Sequence, residues 1–176
     1  MSVARALSTL AFALAPLFAL ACDDAFCEAG EPCDCSNRDQ CFFECEGSGC
    51  DMSCSAMTTC GAVCENDCTM ECHDVSDCSS SCGDNCTIDC HNLDDCGVIC
   101  GADCDYTCEQ SSRCGVRAGP NSIIDCRDVS SCVVECDGRC EVTCLRVGGD
   151  GCTVRCANGD DPTSCPGGLQ VCGSCT

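Results

Sequence analysis

The residues best able to do chemistry here are the cysteines, 31 in a chain of 176. Thiols at this density either pair oxidatively or hold soft metal ions as thiolates. Thiolate stores favour Cys-x-Cys, and this chain has one, Cys33-Asp34-Cys35, with one Cys-x-x-Cys, Cys172 to Cys175. Its dominant spacing is different. Residues 60–77, 78–95 and 96–113 each read C-x3-C-x3-C-x3-C-x5, a period of 18. Segment 41–59 carries one extra residue between Cys45 and Cys50. Segment 114–131 has Ala118 and Ser122 at its two middle Cys positions. Segment 132–151 restores all four and adds two residues in a Gly-rich stretch, 147–151. Self-similarity at one period, with irregular ends, marks a repeat array with caps.

Within the period, numbered 1 to 18, Cys occupies 1, 5, 9 and 13. Position 3 is mostly small or apolar (Ala62, Ser80, Val98, Val116, Val134), and position 11 is apolar throughout (Met70, Ile88, Tyr106, Ile124, Val142). Cys-apolar-Cys therefore alternates with polar residues, the pattern of a strand with one buried face. Positions 6–8 hold turn residues, as in Gly83-Asp84-Asn85. Position 16 is mostly apolar (Val75, Leu93, Val129, Val147) and suits a corner plug. The predicted fold is all-β: a narrow, disulfide-cored β-solenoid of 18-residue coils stacked about 4.8 Å apart. An array of disulfide-pinned β-hairpins is the alternative with the same alternation.

One natural lesion informs the pairing. Positions 5 and 9 are lost together, as Ala118 and Ser122. If the two normally bond each other, their joint loss orphans no thiol. The expected pairs are Cys45–Cys50, Cys64–Cys68, Cys82–Cys86, Cys100–Cys104 and Cys136–Cys140. Position 13 then pairs with position 1 of the next coil: Cys35–Cys41, Cys54–Cys60, Cys72–Cys78, Cys90–Cys96, Cys108–Cys114, Cys126–Cys132 and Cys144–Cys152. This scheme leaves Cys27 with Cys33 at one end, four cysteines at the other, and Cys22 alone. Pairing 13 with 1 inside a coil leaves odd numbers at both ends.

Other polar residues repeat too. Position 8 includes Asp67 and Asp103, and position 15 includes Asp74 and Asp128. Stacked oxygens could serve calcium. The reading adopted is that Asp and Asn sit there because they tolerate turn conformations. His73 and His91 are 18 apart, so a solenoid would stack them; two imidazoles could hold a metal or sense pH, but the reading adopted is a shared ancestral residue on a solvated corner. No nucleophile elbow or phosphate loop is present, and no enzymatic activity or cofactor is expected.

Composition fits this reading. After residue 21 there are about 32 apolar residues other than Cys in 155, too few for an ordinary core when ordering costs roughly 1.5 kcal/mol per residue. The same stretch holds 29 acidic residues against 7 Arg and no Lys, a formal charge of −22. Such a surface repels phosphate, which argues against nucleic acid or an anionic membrane face as partner.

Residues 1–21 combine Arg5 with an apolar stretch from Ala6 to Ala21, too short for an ordinary span and suited to export. The stretch ends Ala19-Leu20-Ala21-Cys22, with Asp23 and Asp24 following. Ala-x-Ala suits an ordinary signal peptidase. A small residue before Cys resembles the lipobox of bacterial lipoproteins, although that family prefers Leu where Ala19 stands. The resemblance covers residues 1–22 and implies lipidation of Cys22. The expected organisation is a signal peptide (1–21), an N-terminal cap or tether (22–40), the repeat array (41–151) and a C-terminal cap (152–176). The expected protein is exported, lipid-anchored at the cell envelope and structural or binding in role, with an envelope or extracellular partner. Alternatives are a secreted calcium- or metal-binding protein and a secreted disulfide-rich ligand or toxin-like scaffold.

Overall fold

The computed structural model describes residues 24–149, 151–157 and 159–175. The leader and Cys22 lie outside them. The strands, in chain order, are β1 (Asp24–Glu28), β2 (Pro32–Ser36), β3 (Gln40–Glu46), β4 (Asp51–Val63), β5 (Thr69–Ser81), β6 (Thr87–His91) and β7 (Asp95–Cys100). They continue as β8 (Asp105–Glu109), β9 (Arg113–Ala118), β10 (Ser122–Arg127), β11 (Ser131–Cys136), β12 (Cys140–Leu145), β13 (Gly151–Cys156), β14 (Thr163–Ser164) and β15 (Leu169–Val171).

They wind into a β-solenoid of about seven turns with two parallel layers. One layer stacks β1, β3, the second halves of β4 and β5, then β7, β9, β11 and β13. The other stacks β2, the first halves of β4 and β5, then β6, β8, β10 and β12. We call them the odd-strand and even-strand layers. The register follows the cysteines: Cys78 lies beside Cys96, Cys96 beside Cys114, Cys114 beside Cys132. Where the chain carries extra residues, Cys41 still meets Cys60 and Cys132 still meets Cys152. The turns absorb the insertions, because slipping the register by one residue would turn the sulfurs outward.

Two features go beyond the repeat arithmetic. β4 and β5 each run 13 residues without a break, spanning a corner between layers. Residues 24–36 are not merely a tether: β1 and β2 form a further rung beneath the first full repeat.

The alternation of the sequence becomes an inside and an outside. In β3 the burial reads exposed, buried, exposed along its whole length. Inside lie the cysteines, with Phe43, Met52, Met70, Ile88, Tyr106, Ile124, Val134 and Val142 all buried between the layers. Corner residues Met57, Val75, Leu93 and Val129 are buried as well. Ser111 takes that position in one coil and stays satisfied: its Oγ donates to Glu109 O (3.0 Å) and accepts from Leu93 N (3.2 Å).

Fifteen disulfides staple the chain, most of them bridging the layers at both edges of the flattened tube. They include every pair from the parity scheme, together with Cys27–Cys33, Cys156–Cys172 and Cys165–Cys175. Cα separations run from 5.6 to 6.6 Å, within ordinary bridging reach. Where the staple is missing, Ala118 and Ser122 are both fully buried. The Ser122 hydroxyl donates to Gly119 O (2.8 Å) and accepts from Cys104 N (3.2 Å), so the corner is closed by hydrogen bonds.

The corners stack by backbone contacts. Gly101 N donates to Gly83 O (2.8 Å) and Gly119 N to Gly101 O (2.9 Å). Position 8 is left-handed at Asp67, Asn85, Asp103 and Asn121, with φ from 56° to 65°. Position 15 is left-handed at Asp74, Asn92, Gln110 and Asp128, with φ from 53° to 59°. Asp and Asn tolerate this region best after Gly. Ala56 occupies the equivalent position at φ 53° without that tolerance. Ala56→Gly is expected to raise stability by about 1 kcal/mol, read from the guanidinium unfolding midpoint.

The C-terminal end differs. β15 lies antiparallel on β12, placing Val171 beside Glu141 and Leu169 beside Thr143, and β14 pairs antiparallel with β15. Cys156–Cys172 ties this hairpin to β13, the last rung of the odd-strand layer. Among the described residues, no helix is long and apolar enough to cross a membrane.

Candidate functional site

The solenoid turns every second residue of each layer outward, so function must be sought in columns running along the rod. On the odd-strand layer one column reads Phe42, Gly61, Ser79, Gly97, Gly115, Val133. Beside it runs Glu44, Val63, Ser81, Ile99, Arg117, Glu135. Small residues in the first column leave a shallow apolar groove of about 550 Å³. Val63 and Ile99 rise along it, and Phe42 and Val133 close its ends. Ile99 is 58% exposed. Ion pairs Arg117–Asp137 (2.7 Å) and Arg155–Glu135 (3.4 Å) mark the groove's C-terminal end. This groove escaped sequence reading along the chain. Its signal is present only when every eighteenth residue is read together.

The even-strand layer is polar. Its columns are Asp51, Thr69, Thr87, Asp105, Ile123, Glu141; then Ser53, Glu71, Asp89, Thr107, Asp125, Thr143; then Ser55, His73, His91, Glu109, Arg127, Leu145. The stack expected of the two histidines is formed: His73 and His91 are register partners, with ring centroids 5.9 Å apart.

The carboxylates weighed for calcium do not converge. Asp74 accepts a hydrogen bond from Asn92 Nδ2, and Asp128 receives the Arg146 guanidinium at two oxygens. That guanidinium holds the Asp128 carboxyl below its ordinary range and is itself pushed up. Asp67 and Asp103 sit in left-handed turns, their backbone N–H groups donating to Asp84 O and Pro120 O (2.9 Å each). Among the described residues, the groups of three or more close ligand atoms are all cysteines, and each is in a disulfide.

Charge is unevenly spread. Between 24 and 112 there are 20 acidic residues and one Arg, Arg38. The six Arg from Arg113 to Arg155 each pair with a carboxylate, Arg127 with Asp125 and Arg139 with Glu141 among them. The first half of the rod is therefore strongly anionic and the second close to neutral.

One buried polar group stands out in the core. Tyr106 is fully buried and its hydroxyl has no hydrogen-bond partner among the described residues. Burial pushes its phenol well above the ordinary value. No protein-family model, curated protein or solved structure matches this chain.

Proposed function

We propose that the protein is an exported, lipid-anchored rod acting at the cell envelope in a structural or binding role, with the odd-strand groove as its contact surface. The observation that carries this reading is the cysteine count. All 30 cysteines after Cys22 are consumed by one another in fifteen disulfides, an arrangement that needs an oxidising compartment. Cys22 is the remaining one of 31, at the junction where a lipobox-like sequence would be acylated. The leader supports export and the acylated Cys supports tethering, since one lipid supplies about 0.8 kcal/mol per buried methylene. The groove supports contact with an apolar segment of a partner, because an exposed apolar patch on a rod otherwise dressed in carboxylates serves no folding purpose.

The intact mass of the exported protein tests this. The expected mass starts at Cys22, carries a diacylglyceryl group, and is lower by two hydrogens for each of fifteen disulfides. Alkylation of the denatured, unreduced protein should label no thiol. A mature chain starting at Cys22 with a free, unacylated thiol would remove the anchor and leave a secreted rod. Many labelled thiols would remove the export argument as well.

A further inference from the structure

The two histidines of this chain are its only ones, and the solenoid brings them together on the anionic half of the rod. His73 and His91 leave neighbouring parallel strands, β5 and β6, at register-matched positions on the outer face. Adjacent strands lie about 4.8 Å apart. The rings stand 5.9 Å centroid to centroid, tilted by 52°. An imidazole binds zinc through nitrogen at about 2.0–2.1 Å, which puts two rings on one ion about 5–6 Å apart between centroids. The centroid spacing is thus the one a shared ion needs, and binding has to turn the ring nitrogens toward it, because the three donor atoms are not gathered in the structure.

A carboxylate stands at the same place. Glu71 is two residues before His73 on the same strand face, and its Oε2 lies 3.7 Å from His73 Nε2. Asp89 holds the matching position before His91, and Glu109 is the register partner of His91 on the far side. His73 and Glu71 are 39% and 52% exposed in their side chains, so an ion can reach them. Among the described residues, no Arg is a register neighbour of either histidine: Ser55 stands beside His73 and Glu109 beside His91, with Arg127 one coil beyond Glu109.

We propose that His73, His91 and Glu71 form a surface site for a divalent ion of the nickel–copper–zinc series. Two imidazoles and one carboxylate are the donor set these ions select, while calcium and magnesium prefer oxygen alone. The surplus of carboxylates on this half of the rod raises the local concentration of cations of every kind. The imidazole pair is what discriminates among them. The site is independent of the anchor and of the groove.

Titration of zinc ion into the oxidised, full exported chain at 0.15 M salt tests this. One equivalent should saturate, followed by calorimetry and by proton NMR of the ring signals, which with two histidines are assignable by substitution. Both rings should shift together. H73Q and H91Q should each weaken zinc binding by about tenfold or more, and E71Q by less. Calcium at the same concentration should neither shift the rings nor displace zinc. No zinc response in the wild type would overturn the site. So would unchanged affinity in the H73Q/H91Q double variant, or displacement of zinc by calcium, which would mark a carboxylate-only site. Far-UV circular dichroism and the thiol count of each variant verify that the fold is retained, and the exposed positions make that retention the expected result.

Discussion

Complete reduction in native buffer is expected to unfold this protein. β-structure should be lost from the circular dichroism spectrum, and the chain should become a substrate for a nonspecific protease. The reason lies in what remains once the sulfur bridges open. The layers are held apart by cysteines at four of every eighteen positions, and only two or three other inward residues per coil are apolar. Each short disulfide loop contributes about 2 kcal/mol by limiting the open chain, and neighbouring loops share part of that constraint. Thirty thiols facing one another would keep some burial but lose the staples at both edges. Tyr106 reports the event directly. It is the sole tyrosine, in a chain without Trp. In the oxidised protein its phenol resists ionisation because a phenolate would be stranded without water or a partner. The absorbance of phenolate should therefore be absent at pH values where a free tyrosine, titrating near 10, is ionised. After reduction and alkylation it should appear with that ordinary midpoint. The linkage has a definite sign: the folded state resists losing this proton, so stability is full below about pH 10 and falls as pH rises above it. Reduced protein that kept its circular dichroism and protease resistance would show that side-chain packing, not sulfur, holds the rod.

Gly119→Ala should be strongly damaging, lowering stability by about 3 kcal/mol. A Cβ at Gly119 would stand 2.5 Å from Gly101 C, 2.6 Å from Gly101 O and 2.7 Å from Ala102 N. All three are backbone atoms of the coil beneath, locked by the corner hydrogen bonds. No side chain can swing away to make room. Gly97→Ala is the matched control. Its Cβ would meet nothing within 4 Å, and its φ is not left-handed. The control should be neutral or stabilising by about 0.5 kcal/mol, since Ala narrows the unfolded ensemble. Guanidinium melts of both variants with disulfides intact decide the matter. Equal midpoints would mean that the corners yield freely and that coil stacking is not set by backbone contact.

Much of this architecture was legible along the chain because the constraint is periodic. Cysteines at 1, 5, 9 and 13 fix which side faces in, and the paired loss at Ala118 and Ser122 exposes which sulfurs meet. The turn reading of Asp67, Asp74, Asp103 and Asp128 has its physical basis in the left-handed backbone those residues adopt. Other features were hidden for definite reasons. Cys33 falls beside Met52, two residues away from the Cys column the repeat would suggest, so the rung built by β1 and β2 reads as irregular sequence. The unbroken course of β4 and β5 was hidden because Ala56 and Asp74 make the bend with one left-handed residue inside the strand, where the sequence reads as a break between two strands. The groove depends on Gly61, Gly97 and Gly115 being neighbours, and in the chain they are separated by whole coils. The terminal hairpin pairs antiparallel over three residues, too short to leave a pattern.

That hairpin has a consequence for assembly. Rungs that join by parallel hydrogen bonding carry no inherent stopping rule, and a rod of them can elongate indefinitely through its ends. β15 breaks the parallel run of the even-strand layer, and Cys156–Cys172 bolts it in place. β14 covers its outer side over two residues, so a newcomer to that layer would meet a two-residue edge in place of a full-length rung. The odd-strand layer ends instead on β13, so the two layers close differently at this end of the rod.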